Sequence, residues 1–209
     1  MKLLRAHPVL RAIASLILIA LCLAVLWLLE RYEPAGIPLE IHGALDVMGH
    51  VTTALVAAIG VRALRLPVPF WSIILGGVVL DLGHIPGFLG YVNALEGSTR
   101  NGSHSLFVVA ILAVIGFIDR RHANMWLGIA MGATSHLWRD MGTGTVALIW
   151  PITETVYGTL FNRYLAVLAG ISLAMIGSAT LLAVHAQAND ETRPSRYDGP
   201  TSHASGWET

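Results

Sequence analysis

Charge is what this sequence has least of. Only 12% of its 209 residues are Asp, Glu, Lys or Arg, while 55% are hydrophobic and the mean hydropathy is +0.64. A soluble domain carries about a quarter charged residues, so the chain cannot cover a water-facing surface, and it is too apolar to be disordered. Cysteine is nearly absent: the single Cys22 sits inside an apolar run, which excludes an intramolecular disulfide and leaves the compartment unspecified. No excess of either sign exists, with 13 Lys and Arg against 13 Asp and Glu, so no polyanion-binding surface is implied and nucleic acid is not an expected partner. Against these absences stand nine histidines, an unusual number of titratable rings for so apolar a chain.

Long uncharged runs account for the composition. Arg11 and Glu30 bracket eighteen uncharged residues, 12–29. As a helix they reach roughly 27 Å, enough to cross a hydrocarbon core. Lys2, Arg5 and Arg11 would also suit the basic start of a cleaved signal peptide. An uncleaved helix fits better, because Leu28-Leu29-Glu30-Arg31 offers no small-x-small cleavage site. Five further spans are predicted near 44–62, 69–89, 104–119, 122–139 and 164–186, separated by Pro34 to Pro38, Pro67 and Pro69, Gly97 to Gly102, Asp119-Arg120-Arg121 and Pro151. The expected protein is all-α and polytopic, with about six transmembrane helices and no internal repeat. Its parts are an anchor and outer loop (1–41), a helical core (42–163), a last span (164–186) and a disordered polar tail (187–209).

Basic residues orient the spans. With the N-terminus inside, the inner segments hold Lys2, Arg5, Arg11, Arg62, Arg65, Arg120, Arg121, Arg193 and Arg196, and the outer ones Arg31, Arg100, Arg139 and Arg163. Both termini are therefore expected in the cytoplasm of a bacterial inner membrane.

The remaining ionisable residues fall at one depth. Asp46 and His50 are four apart at the outer start of the second span, and Asp81 and His84 three apart near the end of the third. His104 opens the fourth span, and His136 and Asp140 are four apart at the end of the fifth. Spacings of three and four place two side chains on one helical face. Counted from the inner arginines, His50, Asp81 and His136 lie roughly 18, 24 and 22 Å from the inner boundary. Any one of them could be an interhelical hydrogen bond. As a set from four helices, each costing about 2.5–3.5 kcal/mol to insert, they predict a metal site near the outer face, and imidazole with carboxylate suits zinc. His42, on the same face as His50 but nearer the surface, is expected to be an ordinary interfacial histidine.

The same residues carry a resemblance. Asp46-Val-Met-Gly-His50, Leu80-Asp81-Leu-Gly-His84, Thr99-Arg-Asn-Gly-Ser-His104-Ser105 and His136-Leu-Trp-Arg-Asp140, with Thr143, Gly144 and Pro151 beyond, follow one another over about 42–151. In order and spacing the chain resembles the LexA-regulated, membrane-bound metal-dependent hydrolases (the YdjM-like proteins). It departs from them at Gly83, where a second Asp is frequent, and at Thr99, where the family has a His. The family is similar in motif style to the zinc-dependent phospholipase C and single-strand nuclease superfamily. The resemblance implies a membrane hydrolase of phosphoester bonds, acting at the extracytoplasmic face on a lipid or lipid-linked substrate.

Six ligand candidates, His50, Asp81, His84, His104, His136 and Asp140, exceed the four that one tetrahedral zinc takes. Either two metals share them or some only support the others; other divalent metals remain open, as does the oligomeric state. A catalytic zinc lowers the pKa of water toward about 7, and Asp46 or Asp140 is placed to take the proton. Arg100 would clamp a phosphate or anchor its loop at the headgroups, and Arg139 is expected to be an interfacial anchor pointing away from the site. Gly128 and Gly132 are expected to serve helix packing, and 141–162 to form a cap or re-entrant loop. A metal or proton transporter using the same cluster is the alternative, disfavoured because the inner halves of the spans are almost uniformly apolar. A bis-histidine haem carrier is a third, for which Asp81 and Asp140 are poor company. Gly-x-Ser-x-Gly is absent, so no serine nucleophile is implied.

Overall fold

The computed structural model describes residues 7–31, 38–84, 103–153 and 155–191. Among these, six α-helices form: α1 (Pro8–Arg31), α2 (Leu39–Ala63), α3 (Phe70–Val79), α4 (Leu106–Ile118), α5 (Ala123–Thr143) and α6 (Phe161–Glu191). Short 3-10 helices at Leu80–His84 and Arg120–His122 follow α3 and precede α5. The described residues contain no strand, only an isolated bridge between Val146 and Tyr157.

Among the described residues, three helices are long and apolar enough to cross a membrane: Pro8–Arg31, Ile41–Ala63 and Phe161–Gln187. Their outward faces expose Leu, Ile, Val and Trp side chains, as at Ile17, Leu21, Trp27, Ile171 and Leu181, which suits hydrocarbon and not water. The predicted span 69–89 is different. Its α-helix ends at Val79 and tightens into the 3-10 turn, and the part of that span beyond His84 lies outside the described residues. α4, at 13 residues, reaches only about 20 Å, less than the roughly 30 Å of a hydrocarbon core. α5 has the length, 21 residues, but Gly, Ser, His, Arg and Asp dilute its apolar character. It can tolerate them because its neighbours cover it: buried positions run from Gly128 to Gly142.

The centre of the bundle is the α3–α5 crossing. A Cβ on Gly132 would overlap the Ile73 carbonyl oxygen and stand 2.7 Å from Gly77 N, and a Cβ on Gly76 would overlap the Ile129 carbonyl. The two backbones therefore touch through glycine, as expected of Gly128 and Gly132. A second layer joins α1, α2 and α6 around Ile19, Cys22, Leu26, Val56, Ile59 and Leu168. There Thr53 Oγ1 and Tyr164 Oη are hydrogen-bonded at 2.6 Å.

Two helix boundaries have unusual local chemistry. α2 closes with Leu66 N donating to Val61 O and Arg65 N to Arg62 O, which puts Arg65 at φ 57. Glycine normally takes this left-handed position, and an L side chain there costs roughly 1–2 kcal/mol. Between α4 and α5, the Asp119 carboxylate accepts from Trp126 Nε1 at 3.1 Å and from His122 Nδ1 at 2.9 Å. Those bonds hold the Asp119 carboxyl below its ordinary range, so the turn is strongest at neutral pH and loosens as acid protonates it. α6 corrects the predicted tail: Gln187–Glu191 continue the helix, because Ala, Gln and Glu favour helix and the first proline, Pro194, comes later.

Gly132→Ala should lower stability by about 1–3 kcal/mol, since backbone on the far side of the crossing cannot yield as a side chain would. Thermal melting of the purified variant in detergent measures it; an unchanged midpoint would disprove the close crossing.

Candidate metal centre

Four elements turn ionisable side chains toward one point. α2 supplies Asp46 and His50, the 3-10 turn Asp81, the residues just before α4 His104, and α5 His136 and Asp140. The four-residue spacing on α2 and α5 sets each pair on one face, and the α3–α5 glycine contact brings Asp81 within reach of His136. His50, His104 and His136 are all at most 1% exposed, and Asp140 is buried.

Asp140 stands between two rings, with Oδ1 3.3 Å from His50 Nε2 and Oδ2 3.3 Å from His136 Nε2. Asp81 Oδ1 lies 3.5 Å from His136 Nε2 and 3.8 Å from His104 Nε2. His104 Nε2 is likewise 3.8 Å from Asp140 Oδ2. The imidazoles of His50 and His136 stack at 3.6 Å and 10°. Two overlapping groups, His50–Asp81–His136 and His104–His136–Asp140, keep their donor atoms within 4.8 Å of one another.

One hydrogen bond decides how this cluster reads. His136 Nδ1 is 2.8 Å from the Gly77 carbonyl oxygen, and a carbonyl only accepts, so Nδ1 carries the proton. In a neutral ring Nε2 then has a lone pair, which faces the Asp81 and Asp140 oxygens. Acceptor meets acceptor. His136 Nε2, both ring nitrogens of His50, Asp81 Oδ2 and Asp140 Oδ2 have no hydrogen-bond partner among the described residues. Buried polar atoms are rarely left so. A proton on His136 Nε2 would turn its two carboxylate contacts into attractions, and a cation among the facing oxygens and Nε2 atoms would do the same for several rings at once, though it could engage only one nitrogen of His50.

Distances fit a metal as well. Ligand atoms about 2.0–2.2 Å from a tetrahedral zinc stand about 3.3–3.6 Å from each other. The His50–Asp140, His136–Asp140 and His136–Asp81 separations fall in that range. The His104 separations are slightly longer. This buried cluster of imidazole and carboxylate could hold a metal ion, with the Gly77 carbonyl fixing the His136 tautomer and Ser103 Oγ, 2.8 Å from His104 Nδ1, bracing the third ring.

Of the predicted site residues, Asp46, His50, Asp81, His104, His136 and Asp140 are thus brought together. Asp46 lies at the rim, half-exposed and 3.6 Å from His50 Nε2. His84 closes the 3-10 turn, but its side chain falls outside the described residues, as does Arg100. His42 is exposed, as expected.

Arg139 corrects the sequence reading. It is 4% exposed, not an anchor at the surface. Its guanidinium lies where a Cβ on Gly49 would be, and Nη2 is 3.9 Å from Asp46 Oδ1. One residue of helix turns Arg139 about 100° away from Asp140, and that direction faces α2, where Gly49 leaves room. Gly77 and Ser103 were missed too, since neither a backbone carbonyl nor a lone serine announces itself in sequence.

Residues 144–153 and 155–160 form no further helix. Val146 packs on Leu80, Ala133 and Leu137, and Leu106 N donates to Leu148 O at 2.9 Å, so the stretch is tied to the start of α4 beside His104. No family model, no curated protein and no solved structure matches this chain.

Metal-free protein titrated with zinc should bind about one equivalent, and His136→Ala should weaken binding at least about 10-fold. Protons compete for imidazole below about pH 6.5, so affinity should fall as pH drops through that value and recover on returning to neutrality. Calorimetry at pH 7.5 and 5.5 reads both effects; a pH-independent affinity would place the metal elsewhere.

Proposed function

We propose that the protein is a membrane-embedded, metal-dependent hydrolase, a relative of the YdjM-like family. Zinc is the favoured metal, and the substrate is a phosphoester of a lipid or lipid-linked molecule at the extracytoplasmic face. The observation that carries this reading is the convergence of three buried imidazoles and two carboxylates whose facing atoms have the spacing of metal ligands. The motif order supports the chemical class, and the excess of basic residues on the inner segments supports a six-span arrangement with both termini in the cytoplasm.

His50, Asp81, His104, His136 and Asp140 would hold the ion, as two overlapping groups that share His136. When bound, zinc supplies a Lewis acid that lowers the pKa of water and offsets charge on a phosphoryl oxygen. Asp46 receives the proton released by the attacking water at a carboxylate oxygen near the rim, while Arg139 holds that carboxylate in place across α2. Gly77 keeps His136 in the tautomer whose Nε2 faces the centre. Arg100 is the side chain assigned to the substrate phosphate.

A screen of phospholipids and prenyl phosphates with zinc-loaded protein tests the proposal. His136→Ala and Asp81→Ala should each cut turnover at least about 10³-fold, some 4 kcal/mol of transition-state stabilisation, with helicity unchanged. Asp46→Asn should lose about 10²–10⁴-fold in kcat while still binding zinc. Turnover surviving in both ligand variants overturns the hydrolase. Zinc uptake into vesicles, lost in the same variants without any hydrolysis, would assign a transporter instead.

A further inference from the structure

A second site lies at the far end of the bundle. α1, α2 and α6 pack closely around Leu26 and Ile59 but part near the start of α1 and the end of α2, leaving a half-open cleft of about 750 Å³ at which Arg62 and Arg65 are exposed. Small residues make the space: Ala12, Ala14 and Ser15 on α1, and Ala179, Thr180 and Ala183 on α6. Along α2, Arg62 is twelve residues beyond His50, or roughly 18 Å, so this cavity and the metal centre do not overlap.

Its chemistry is two-sided. Arg11, Arg62 and Arg65 line it, no acidic residue among the described residues does, and Leu18, Ile59 and Ile176 form apolar wall. None of the three arginines forms an ion pair among the described residues. Arg62 alone could be explained by its place in the last turn of α2, where a cation suits the helix dipole. Arg65 could not. It occupies the left-handed position at the end of α2 that glycine would fill without strain, and an arginine in that strained conformation beside the cleft points to a ligand contact.

We propose that this cavity binds one anionic phospholipid, its phosphate between Arg11, Arg62 and Arg65 and an acyl chain against Leu18, Ile59 and Ile176. Guanidinium groups match phosphate oxygens in pairs, and basic pockets between membrane helices recognise such headgroups. The volume lies within the range of small-molecule sites, and the apolar wall running inward from the arginines suits a lipid better than free phosphate.

Delipidated full-length protein in non-ionic detergent, titrated with phosphatidylglycerol and followed by native mass spectrometry, should take up one lipid saturably. Arg62→Gln with Arg65→Gln should weaken that uptake about 30-fold, two basic contacts being lost. Phosphatidylcholine should compete poorly, and millimolar inorganic phosphate should not displace the lipid. Arg65→Gly separates binding from folding: it should raise the melting temperature yet weaken lipid uptake. Full uptake by the double variant or by Arg65→Gly overturns the proposal. Equal competition by phosphatidylcholine would reduce the cavity to an apolar slot, and displacement by phosphate at lipid-like concentrations would make it a free-anion site; either also overturns it.

Discussion

Asp81 and Asp140 face His136 across less than 4 Å in a part of the bundle that excludes most water. A buried ionised group without a compensating charge costs several kcal/mol, and whole domains are stable by only about 5–15 kcal/mol. Two uncompensated carboxylates would therefore cancel a large part of the folding free energy. A neutral imidazole whose Nδ1 proton is committed to the Gly77 carbonyl is no remedy, because the lone pair it turns inward repels the same oxygens. The surroundings make sense around a positive charge at the centre, and much of the fold can be read as the means of holding these groups in place.

The glycine crossing is the first such means. Asp81 follows α3 immediately and His136 lies on α5, so their separation depends on how near the two helices run. Gly76 and Gly132 let backbone meet backbone, which also places the Gly77 carbonyl against His136. A bulkier residue would push Asp81 and His136 apart together with the carbonyl that sets the tautomer. The change from α to 3-10 geometry after Val79 acts at the same place, re-aiming the chain at the level of the cluster. Packing and site chemistry thus share residues, and a packing variant is expected to disturb both.

Much of this was visible in the residue order, and the reason is geometric. Asp46 and His50, like His136 and Asp140, lie one helical turn apart, and a regular helix converts that spacing into a shared face without help from the rest of the protein. Counting residues from the arginines placed the pairs at a common depth for the same reason. Direction around a helix axis is another matter. Whether Arg139 faces lipid or protein depends on which neighbour lies on that side, and only the packing of α2, with Gly49 beneath the guanidinium, settles it. The number of spans was also harder to read, because an apolar run shows hydrophobicity but not where α3 changes geometry, and because α5 can be polar once other helices enclose it.

Arg139 also bears on how many cations the centre suits. Among the described residues the cluster contains three carboxylates, of Asp46, Asp81 and Asp140, and three imidazoles that must be neutral to act as ligands. The Arg139 guanidinium stands against Asp46 and offsets one negative charge. Asp81 and Asp140 remain, two charges for one divalent ion. A second divalent ion would leave two positive charges in excess where charge is poorly solvated, a cost the nearby neutral rings could not offset. The buried arginine, expected at the surface, thus lowers the negative charge that a cation at this cluster would have to balance.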